Sequence, residues 1–329
     1  MRQKIRAKNN RTTHVSPSEM NLFKRRLLSA ENLGNNFDNR TIHAKLENVA
    51  GKLSDKFVDL LFIDPPYNLT KNFGNNQFRA TNDDEYEEIF EGWLVSILHT
   101  LKDSASVYVC CDWRSSPPIF NVLSRHLTVR NRITWEREKG RGALSNWKNC
   151  SEDIWFATAT DKYKFNVEAV KLKRKVLAPY RENGVAKDWS DDKDGKFRLT
   201  HPSNLWTDIT IPFWSMPENT DHPTQKPEKL VAKIILASTD EADVVLDPFL
   251  GAGTTSVVAK KLGRTYVGIE ANEEYCCLAE KRLDMVDNDS SIQGYAGGVF
   301  WERNSLREQP DSKTKRKDTQ LLFNAKDLT

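Results

Sequence analysis

The stretch "DVVLDPFLGAGTTSVVAKKLGRTYVGIE", residues 243–270, predicts a complete strand–loop–helix–strand unit. Its first apolar run ends at Asp247, a loop with Gly251 and Gly253 follows, and a helical pattern leads into a strand that ends at Glu270. Further strand patterns alternate with helical patterns upstream, which is typical of a parallel sheet covered by helices. We therefore predict a doubly wound, mostly parallel α/β sheet whose ligands bind at the carboxyl ends of the strands.

The glycine loop favours a bound ligand over a plain tight turn. Glycine lets the backbone approach a ligand, and amides at the start of the next helix point at it. Glu270, 17 residues after Gly253, can accept hydrogen bonds from two ribose hydroxyls. A dinucleotide-binding loop would have a third glycine where Ser256 stands, and Asp247 would repel a pyrophosphate. Asp247 suits a cationic ligand, and S-adenosylmethionine carries both an ammonium and a sulfonium.

A second stretch, "VDLLFIDPPYNLTKNFG" at residues 58–74, leads an apolar strand into an acid, two prolines and a tyrosine. Prolines end strands, and a carboxylate at the end of a buried strand is costly without a function or a partner. The exocyclic amine of a nucleobase is a poor nucleophile unless acceptors hold its N–H groups. Asp64 and the Pro65 carbonyl can be those acceptors, Pro66 stiffens the turn, and Tyr67 can stack on a base that has left its duplex. No covalent enzyme nucleophile is needed, because positioning carries the transfer.

These motifs resemble those of the β-class DNA amino-methyltransferases of bacterial restriction–modification systems. That family carries a D/S/N-P-P-Y tetrad followed later by a D-x-F-x-G-x-G-T loop, and here D-P-P-Y is residues 64–67 and D-P-F-L-G-A-G-T is residues 247–254. Between them, "HPTQKPEKL" at residues 222–230 is similar to the family's H-x-T-x-K-P segment, and the resemblance covers about residues 41–285. It implies a Rossmann-like fold, S-adenosyl-L-methionine as cofactor, and two motifs that meet at one edge of the sheet.

The resemblance also implies roles for individual residues. The catalytic residues would be Asp64, Pro65, Pro66 and Tyr67. The cofactor-binding residues would be Asp247, Phe249, Gly251, Gly253, Thr254, Thr255, Glu270, His222, Thr224 and Lys226. His222 as a helix cap, Tyr67 as a packing aromatic and Lys226 as a structural residue are the alternatives.

Aspartate in the first tetrad position resembles the family's adenine-N6 enzymes, so we predict methylation of a flipped adenine in duplex DNA, with cytosine N4 as the alternative. Cytosine C5 chemistry uses a cysteine that typically follows a proline, and no cysteine here does. The rival functions are a non-catalytic DNA-binding protein with this fold, a nicotinamide-dependent dehydrogenase, and a methyltransferase acting on RNA or protein. The dehydrogenase lacks its third glycine, and the last class usually places its cofactor loop before the tetrad.

Composition is that of a globular protein: 329 residues, 38% hydrophobic, 29% charged and a net charge of +3. No apolar run approaches the roughly 20 residues of a membrane span. The first 15 residues lack the apolar stretch of a signal peptide, so we expect a cytoplasmic protein. The five cysteines have neither disulfide nor zinc spacing, so we expect no metal.

Basic residues cluster locally, which suits a polyanion bound on one face. We expect an irregular target-recognition region over residues 166–221, between catalytic (41–165) and cofactor-binding (222–290) halves, with a polar N-terminal extension (1–40) and a C-terminal tail (291–329). Double-stranded DNA is the expected partner, a cognate restriction endonuclease is a further one, and both monomer and homodimer stay open. The candidate DNA contacts are Trp135, Lys139, Arg141, Lys171, Lys173, Arg174, Lys175 and Arg181. For Trp135, which the resemblance would place against the flipped base, a core tryptophan is the alternative.

Overall fold

The computed structural model describes residues 9–34, 36–69, 71–73, 76–78, 80–137, 143–176, 180–186, 188–192, 195–305 and 309. Its strands are β1 (Leu28–Ser29), β2 (Arg40–His43), β3 (Val58–Ile63), β4 (Lys71–Phe73), β5 (Asn76–Phe78), β6 (Leu101–Cys111), β7 (Thr128–Glu136), β8 (Ser151–Thr158), β9 (Leu172–Lys175), β10 (Arg181–Glu182), β11 (Val185–Ala186), β12 (Ser190–Asp192), β13 (Gly195–Thr200), β14 (Leu205–Trp206), β15 (Val244–Asp247), β16 (Thr265–Glu270), β17 (Tyr295–Ala296) and β18 (Val299–Trp301). Its α-helices are α1 (Pro17–Lys24), α2 (Asp83–Ile97), α3 (Ser116–His126), α4 (Glu228–Ser238), α5 (Thr254–Lys261) and α6 (Glu273–Val286).

The central sheet has the strand order β1-β2-β16-β15-β3-β6-β8-β7-β14. The strands from β1 to β6 in that order run parallel, whereas β8 is antiparallel to both of its neighbours. This arrangement confirms the predicted doubly wound, mostly parallel α/β sheet.

Strand β3 shows why the sheet is covered on both faces. All six of its residues are buried. Leu60 and Phe62 pack in a core with residues of α4 and α5, whereas Leu61 and Ile63 pack in a second core with residues of α2 and α3. Because successive side chains of a strand point to opposite faces, a continuous apolar run is the pattern that a doubly covered parallel strand requires.

Strands β3 and β15 are neighbours in the sheet. They pair in parallel, with Val245 opposite Leu60 and Leu246 opposite Leu61. Asp64 directly follows β3, and Asp247 ends β15. Parallel neighbours end at the same sheet edge, so two carboxylates that are 183 residues apart in the sequence come together.

The region expected to be irregular contains regular strands. Strands β9, β12 and β13 join β17 and β18 in a second sheet of order β12-β13-β9-β18-β17. The charges of β9 conceal its strand pattern, because Lys173 lays its ammonium 4.9 Å from the Phe197 ring and 4.7 Å from the Trp301 ring. At this position an alternating strand pattern would have an apolar residue. A lysine can take its place because its aliphatic chain packs over aromatic rings.

Two smaller expectations also change. The sequence pattern predicts an α-helix over residues 46–53, but these residues form two short 3-10 turns, Leu46–Asn48 and Ala50–Lys52, and Gly51 in the middle weakens an α-helix. The N-terminal range 1–40 contains α1, whose first turn is closed by a reciprocal capping box between Ser16 and Glu19. Within the ranges described above, no helix is both long and apolar enough to cross a membrane.

Candidate active site

The Asp64 turn and the glycine loop line one cavity of about 450 Å³. Asp64 and Tyr67 contribute to its wall from the first turn, and Asp247, Gly251 and Thr255 contribute from the second. The volume falls within the roughly 300–1,000 Å³ of typical ligand pockets. The two motifs therefore face each other across a shared cavity.

Contacts to α2 and to the segment just before it hold the Asp64 turn in place. The buried Tyr86 of α2 donates its hydroxyl hydrogen to the Pro66 carbonyl at 3.0 Å. Asn68 exchanges hydrogen bonds of 2.8 and 2.9 Å with the backbone of Thr81. These contacts do not use the neighbouring Pro65 carbonyl, which no donor in the described part of the chain contacts. The turn thus keeps a backbone acceptor beside the Asp64 carboxylate.

Lys226, predicted to bind the cofactor, lies on the Asp64 side of the cavity. Its Nζ is 2.6 and 2.7 Å from the two carboxylate oxygens of Asp64 and 3.1 Å from the Tyr67 hydroxyl. The Tyr67 hydroxyl is also 3.1 Å from an Asp64 oxygen. The structure therefore brings Lys226 together with the catalytic tetrad.

Glu152 and Arg137, neither of which is among the predicted site residues, complete this cluster. Glu152 lies near the start of β8 with only 6% of its side chain exposed, and its Oε2 is 3.3 Å from the Tyr67 hydroxyl and 3.5 Å from Lys226 Nζ. Its other oxygen accepts a hydrogen bond from the Arg137 guanidinium. A second buried carboxylate is thus held between two cations at the wall of the cavity.

Burial and charge shift the titration of this cluster. Burial raises the pKa of Asp64, and the Lys226 ammonium opposes that shift. Burial lowers the pKa of Lys226, but the Asp64 and Glu152 carboxylates outweigh burial and raise its pKa overall. Lys226 is therefore protonated at neutral pH, and its charge favours the ionised form of Asp64.

Gly251 lies in the left-handed region at φ +54°, close to the His222 ring. A Cβ at Gly251 would meet His222 Nε2 at 3.0 Å. His222 also packs edge-on against Tyr275, and its Nδ1 accepts a hydrogen bond from the Thr224 amide at 3.3 Å. His222 and Thr224 both line the cavity. The absence of a side chain at Gly251 thus keeps this wall of the cavity open.

Gly253 serves packing rather than the cavity wall. It lies at φ +82°, and a Cβ there would stand 2.5 Å from the Ala279 Cβ of α6. It is also not among the residues that line the cavity, unlike Gly251, Ala252 and Thr254. Gly253 thus lets α5 and α6 approach each other, and its contact with the cofactor stays a prediction.

Asp247 is a buried carboxylate at the cavity wall. Its Oδ1 accepts a hydrogen bond from the Phe249 amide at 3.0 Å. Burial raises its pKa to about 7, because desolvation outweighs the hydrogen bonds that it receives. A cation bound beside it would favour the ionised form.

Glu270 ends β16 beside the glycine loop. Its oxygens accept hydrogen bonds from the Gly251 amide at 2.8 Å and the Asn272 amide at 2.7 Å, and burial raises its pKa. Each carboxylate oxygen has a further lone pair for a ligand hydroxyl. The other predicted cofactor residues of this loop, Phe249, Thr254 and Thr255, also line the cavity.

A buried ion network supports the loop from behind. Arg282 of α6 donates to the Ala252 carbonyl at 2.8 Å and to Thr254 Oγ1 at 3.0 Å. Glu228 of α4 accepts from Arg282 at 3.0 Å and from Lys261 at 2.6 Å. Neither Arg282 nor Glu228 stands out in the sequence, because nothing local marks a helix residue that binds a distant loop.

The predicted DNA contacts are scattered, and one of them is wrong. Trp135 is only 2% exposed and its indole N–H donates to the Ile209 carbonyl, so it is a core residue. Lys171 pairs with Glu168 at 2.7 Å, and Arg174 approaches Glu302 at 3.6 Å. Lys173 lies in β9 as described above, Lys175 and Arg181 are exposed, and Lys139 and Arg141 lie outside the described residues. DNA contact by these basic residues stays a prediction.

The donor set fits S-adenosylmethionine. A buried carboxylate, Asp247, can pair with an ammonium, and Glu270 can accept from ribose hydroxyls. The Gly251 backbone forms a wall that a Cβ would narrow, at the N-terminal end of α5. On chemical grounds the cavity thus suits a cationic nucleoside.

Comparison with known proteins gives consistent results. The family model described as DNA methylase matches residues 58–281. The chain is 33% identical over 281 residues to the DNA adenine methyltransferase YhdJ of Escherichia coli, covering 80% of this chain and 91% of the relative. It is 32% identical over 250 residues to the type II methyltransferase M.HpaI of Haemophilus parainfluenzae, covering 75% and 74%.

Solved structures agree with these matches. A crystal structure of an M1.HpyAVI–SAM complex is 26% identical with a TM-score of 0.50, covering 74% of this chain and 98% of that one. The fold alone is shared with the cytosine-N4-specific PvuII DNA methyltransferase, at 19% identity and a TM-score of 0.55, covering 74% and 85%. With the tetrad and the glycine loop at one cavity, these matches confirm the predicted resemblance: this chain belongs to the DNA methylase family.

Proposed function

We propose that this protein is a site-specific DNA methyltransferase that moves the methyl group of S-adenosylmethionine to the N6 amine of an adenine flipped out of duplex DNA. One observation carries the proposal: the Asp64–Tyr67 turn and the Asp247–Thr255 loop line the same cavity. A donor at one turn and an acceptor at the other would then be in position for direct transfer.

On the cofactor side, each contact has a chemical reason. The Asp247 carboxylate would pair with the ammonium of the amino-acid part, and Glu270 would bind the ribose hydroxyls. When bound, S-adenosylmethionine supplies an electrophilic methyl group on a positively charged sulfur. Phe249 offers an apolar surface at the cavity wall, where its ring meets Trp93 with 5.0 Å between centroids.

On the acceptor side, Asp64 and the Pro65 carbonyl would hold the two amine hydrogens. Holding them draws the nitrogen lone pair out of conjugation with the ring and directs it at the methyl group. The Asp64 carboxylate would accept the proton that the amine nitrogen loses when it is methylated. Tyr67 would stack against the base, which must leave the duplex because its amine is otherwise enclosed by the base stack.

The relatives favour adenine as the target. YhdJ, which matches over most of its length, is named a DNA adenine methyltransferase, and Asp64 occupies the first tetrad position as the resemblance implies for adenine enzymes. Cytosine N4 presents the same kind of amine to the same acceptors, so it is the alternative product that an experiment must distinguish.

The test is product analysis. The purified protein would be incubated with duplex DNA and tritiated S-adenosylmethionine, and the DNA digested to nucleosides for chromatography. We expect label in N6-methyladenine. Label in N4-methylcytosine would establish the alternative, and unlabelled DNA would contradict the proposal.

The biological setting follows from the substrate. A protein that modifies bacterial DNA works in the cytoplasm, and relatives named type II methyltransferases support a cognate restriction endonuclease with the same site. Sequencing DNA from a host that expresses the gene, with detection of modified bases, would give the recognised site.

A further inference from the structure

The Asp64 carboxylate, which the proposed methyl transfer needs as a hydrogen-bond acceptor, is already paired with Lys226. Lys226 Nζ lies 2.6 and 2.7 Å from the two oxygens of Asp64. An amine hydrogen that binds Asp64 must share those oxygens with the ammonium. The amine also gains positive charge as the methyl group arrives, so an ammonium on the same carboxylate opposes the reaction.

A second carboxylate lies within reach of the same ammonium. Glu152 Oε2 is 3.5 Å from Lys226 Nζ, and only 6% of the Glu152 side chain and 7% of the Lys226 side chain are exposed. The other Glu152 oxygen is held by Arg137, so the carboxylate keeps one oxygen directed at Lys226. A small rotation of the lysine side chain would change its ion-pair partner without moving the backbone.

Tyr67 connects the two carboxylates. Its hydroxyl is 3.1 Å from an Asp64 oxygen, 3.3 Å from Glu152 Oε2 and 3.1 Å from Lys226 Nζ. A phenol has one hydrogen to donate, so it can serve only one of the two acids at a time. When the ammonium is on Glu152, the Tyr67 hydroxyl is available to Asp64.

We propose that Glu152 is a positioning residue for methyl transfer: it takes the Lys226 ammonium from Asp64, so that the Asp64 oxygens can accept the hydrogens of the target amine. The inference rests on the proposed function and adds a role for a residue outside the tetrad and the glycine loop. The cluster contains two carboxylates and two cations. The exchange only moves the ammonium from one of these carboxylates to the other, so the net charge of the cluster does not change.

The experiment is a double-mutant cycle in single-turnover methyl transfer, with Glu152→Gln, Lys226→Met and the double variant. In the wild-type background, Glu152→Gln should slow transfer at least tenfold while KM for S-adenosylmethionine changes less than twofold, because Lys226 then has no carboxylate to move to. In the Lys226→Met background, the same change should cost less than threefold, because there is no ammonium to take. If Glu152→Gln alone does not fold, the comparison of Lys226→Met with the double variant remains, and their transfer rates should differ less than threefold.

Asp59→Asn is the matched control. Asp59 is another buried acid, at the opposite end of β3, paired with Lys102 at 2.7 Å. Its loss should lower thermal stability but leave the transfer rate of the folded enzyme within threefold. Wild-type rates in Glu152→Gln, or an equal tenfold loss in both backgrounds, would overturn the inference. Failure of the proposed function would instead be seen in the wild-type protein, as DNA without labelled base.

Discussion

At the scale of single residues, the site contains two buried acids, Asp64 and Asp247, that differ in the groups beside them. Asp64 and Asp247 end neighbouring strands and face one cavity, yet Asp64 has Lys226 beside it, whereas Asp247 receives a backbone hydrogen bond. Burial without a paired cation raises the pKa of Asp247 to about 7. The two acids are thereby suited to different partners: Asp64 to the N–H groups of an amine, and Asp247 to an ammonium group.

Asp64→Asn should abolish most methyl transfer. The amide keeps the volume of the side chain, but it replaces one acceptor oxygen with a donor. We expect the single-turnover rate to fall by about 10²–10³-fold, which is the range observed when one group that stabilises a transition state is removed. Calorimetric affinity for S-adenosylmethionine should stay within threefold. Near-normal turnover in this variant would remove Asp64 from the catalytic role.

Cofactor binding should depend on pH through Asp247. The pKa of Asp247 is raised to about 7, and only the ionised form pairs with an ammonium. Affinity for S-adenosylmethionine should therefore be full above pH 7 and fall as pH decreases, approaching tenfold per unit well below that value. Calorimetry between pH 5.5 and 7.5 checks this. The Asp247→Asn variant should bind S-adenosylmethionine more weakly, with an affinity that does not change with pH. A strong pH dependence in that variant would assign the titration to another group.

At the scale of secondary-structure elements, the glycine loop depends on how two helices pack. Gly251 keeps the cavity wall open beside His222, whereas Gly253 allows Ala279 of α6 to approach the start of α5. Arg282 and Glu228 connect the back of the loop to α6 and α4. The two glycines of one short motif thus serve different purposes, and only the first lines the cavity.

Gly253→Ala should destabilise the fold. The residue lies at φ +82°, which costs about 1–2 kcal/mol for an L-residue, and overlap with Ala279 adds about 1–3 kcal/mol. The free energy of unfolding measured by urea denaturation should fall by the sum of these two losses. Gly184→Ala is the control, because Gly184 also lies at φ +82° but a Cβ there would meet nothing within 4 Å. Equal losses at the two glycines would refute the packing role of Gly253.

At the scale of the whole molecule, two large apolar side chains are exposed near the cavity. Trp147 is 97% exposed, and Leu144 is fully exposed on the same segment. Asn149, two residues after Trp147, lines the cavity. We therefore expect a DNA duplex that presents a base to Asp64 to contact Trp147, whose ring can stack on a neighbouring base.

Trp147→Ala should weaken activity on paired DNA. Base–aromatic stacking is worth about 1–3 kcal/mol per base, so we expect a fall of roughly five- to 150-fold in kcat/KM for duplex DNA. Trp147→Phe should restore most of it. A mismatch opposite the target base lowers the energy needed to extrude it, so the defect should shrink on mismatched duplexes. An equal defect on both substrates would show that Trp147 does not assist extrusion.

The fold class, the two motifs and their chemistry follow from the amino-acid sequence alone. Asp64–Tyr67 and Asp247–Glu270 are readable because each motif is local: a strand end, a turn and a short spacing carry the information. Which other side chains join those motifs depends on contacts between distant segments. Trp135 pairs with Glu152 across β7 and β8, yet the tryptophan is in the core while the glutamate reaches the cavity beside Lys226. Both side chains are buried, and they differ in what covers them: the Trp135 indole donates to the Ile209 carbonyl, whereas the Glu152 carboxylate meets Lys226. Both of these contacts come from segments far away in the sequence, which is why no local pattern reveals them.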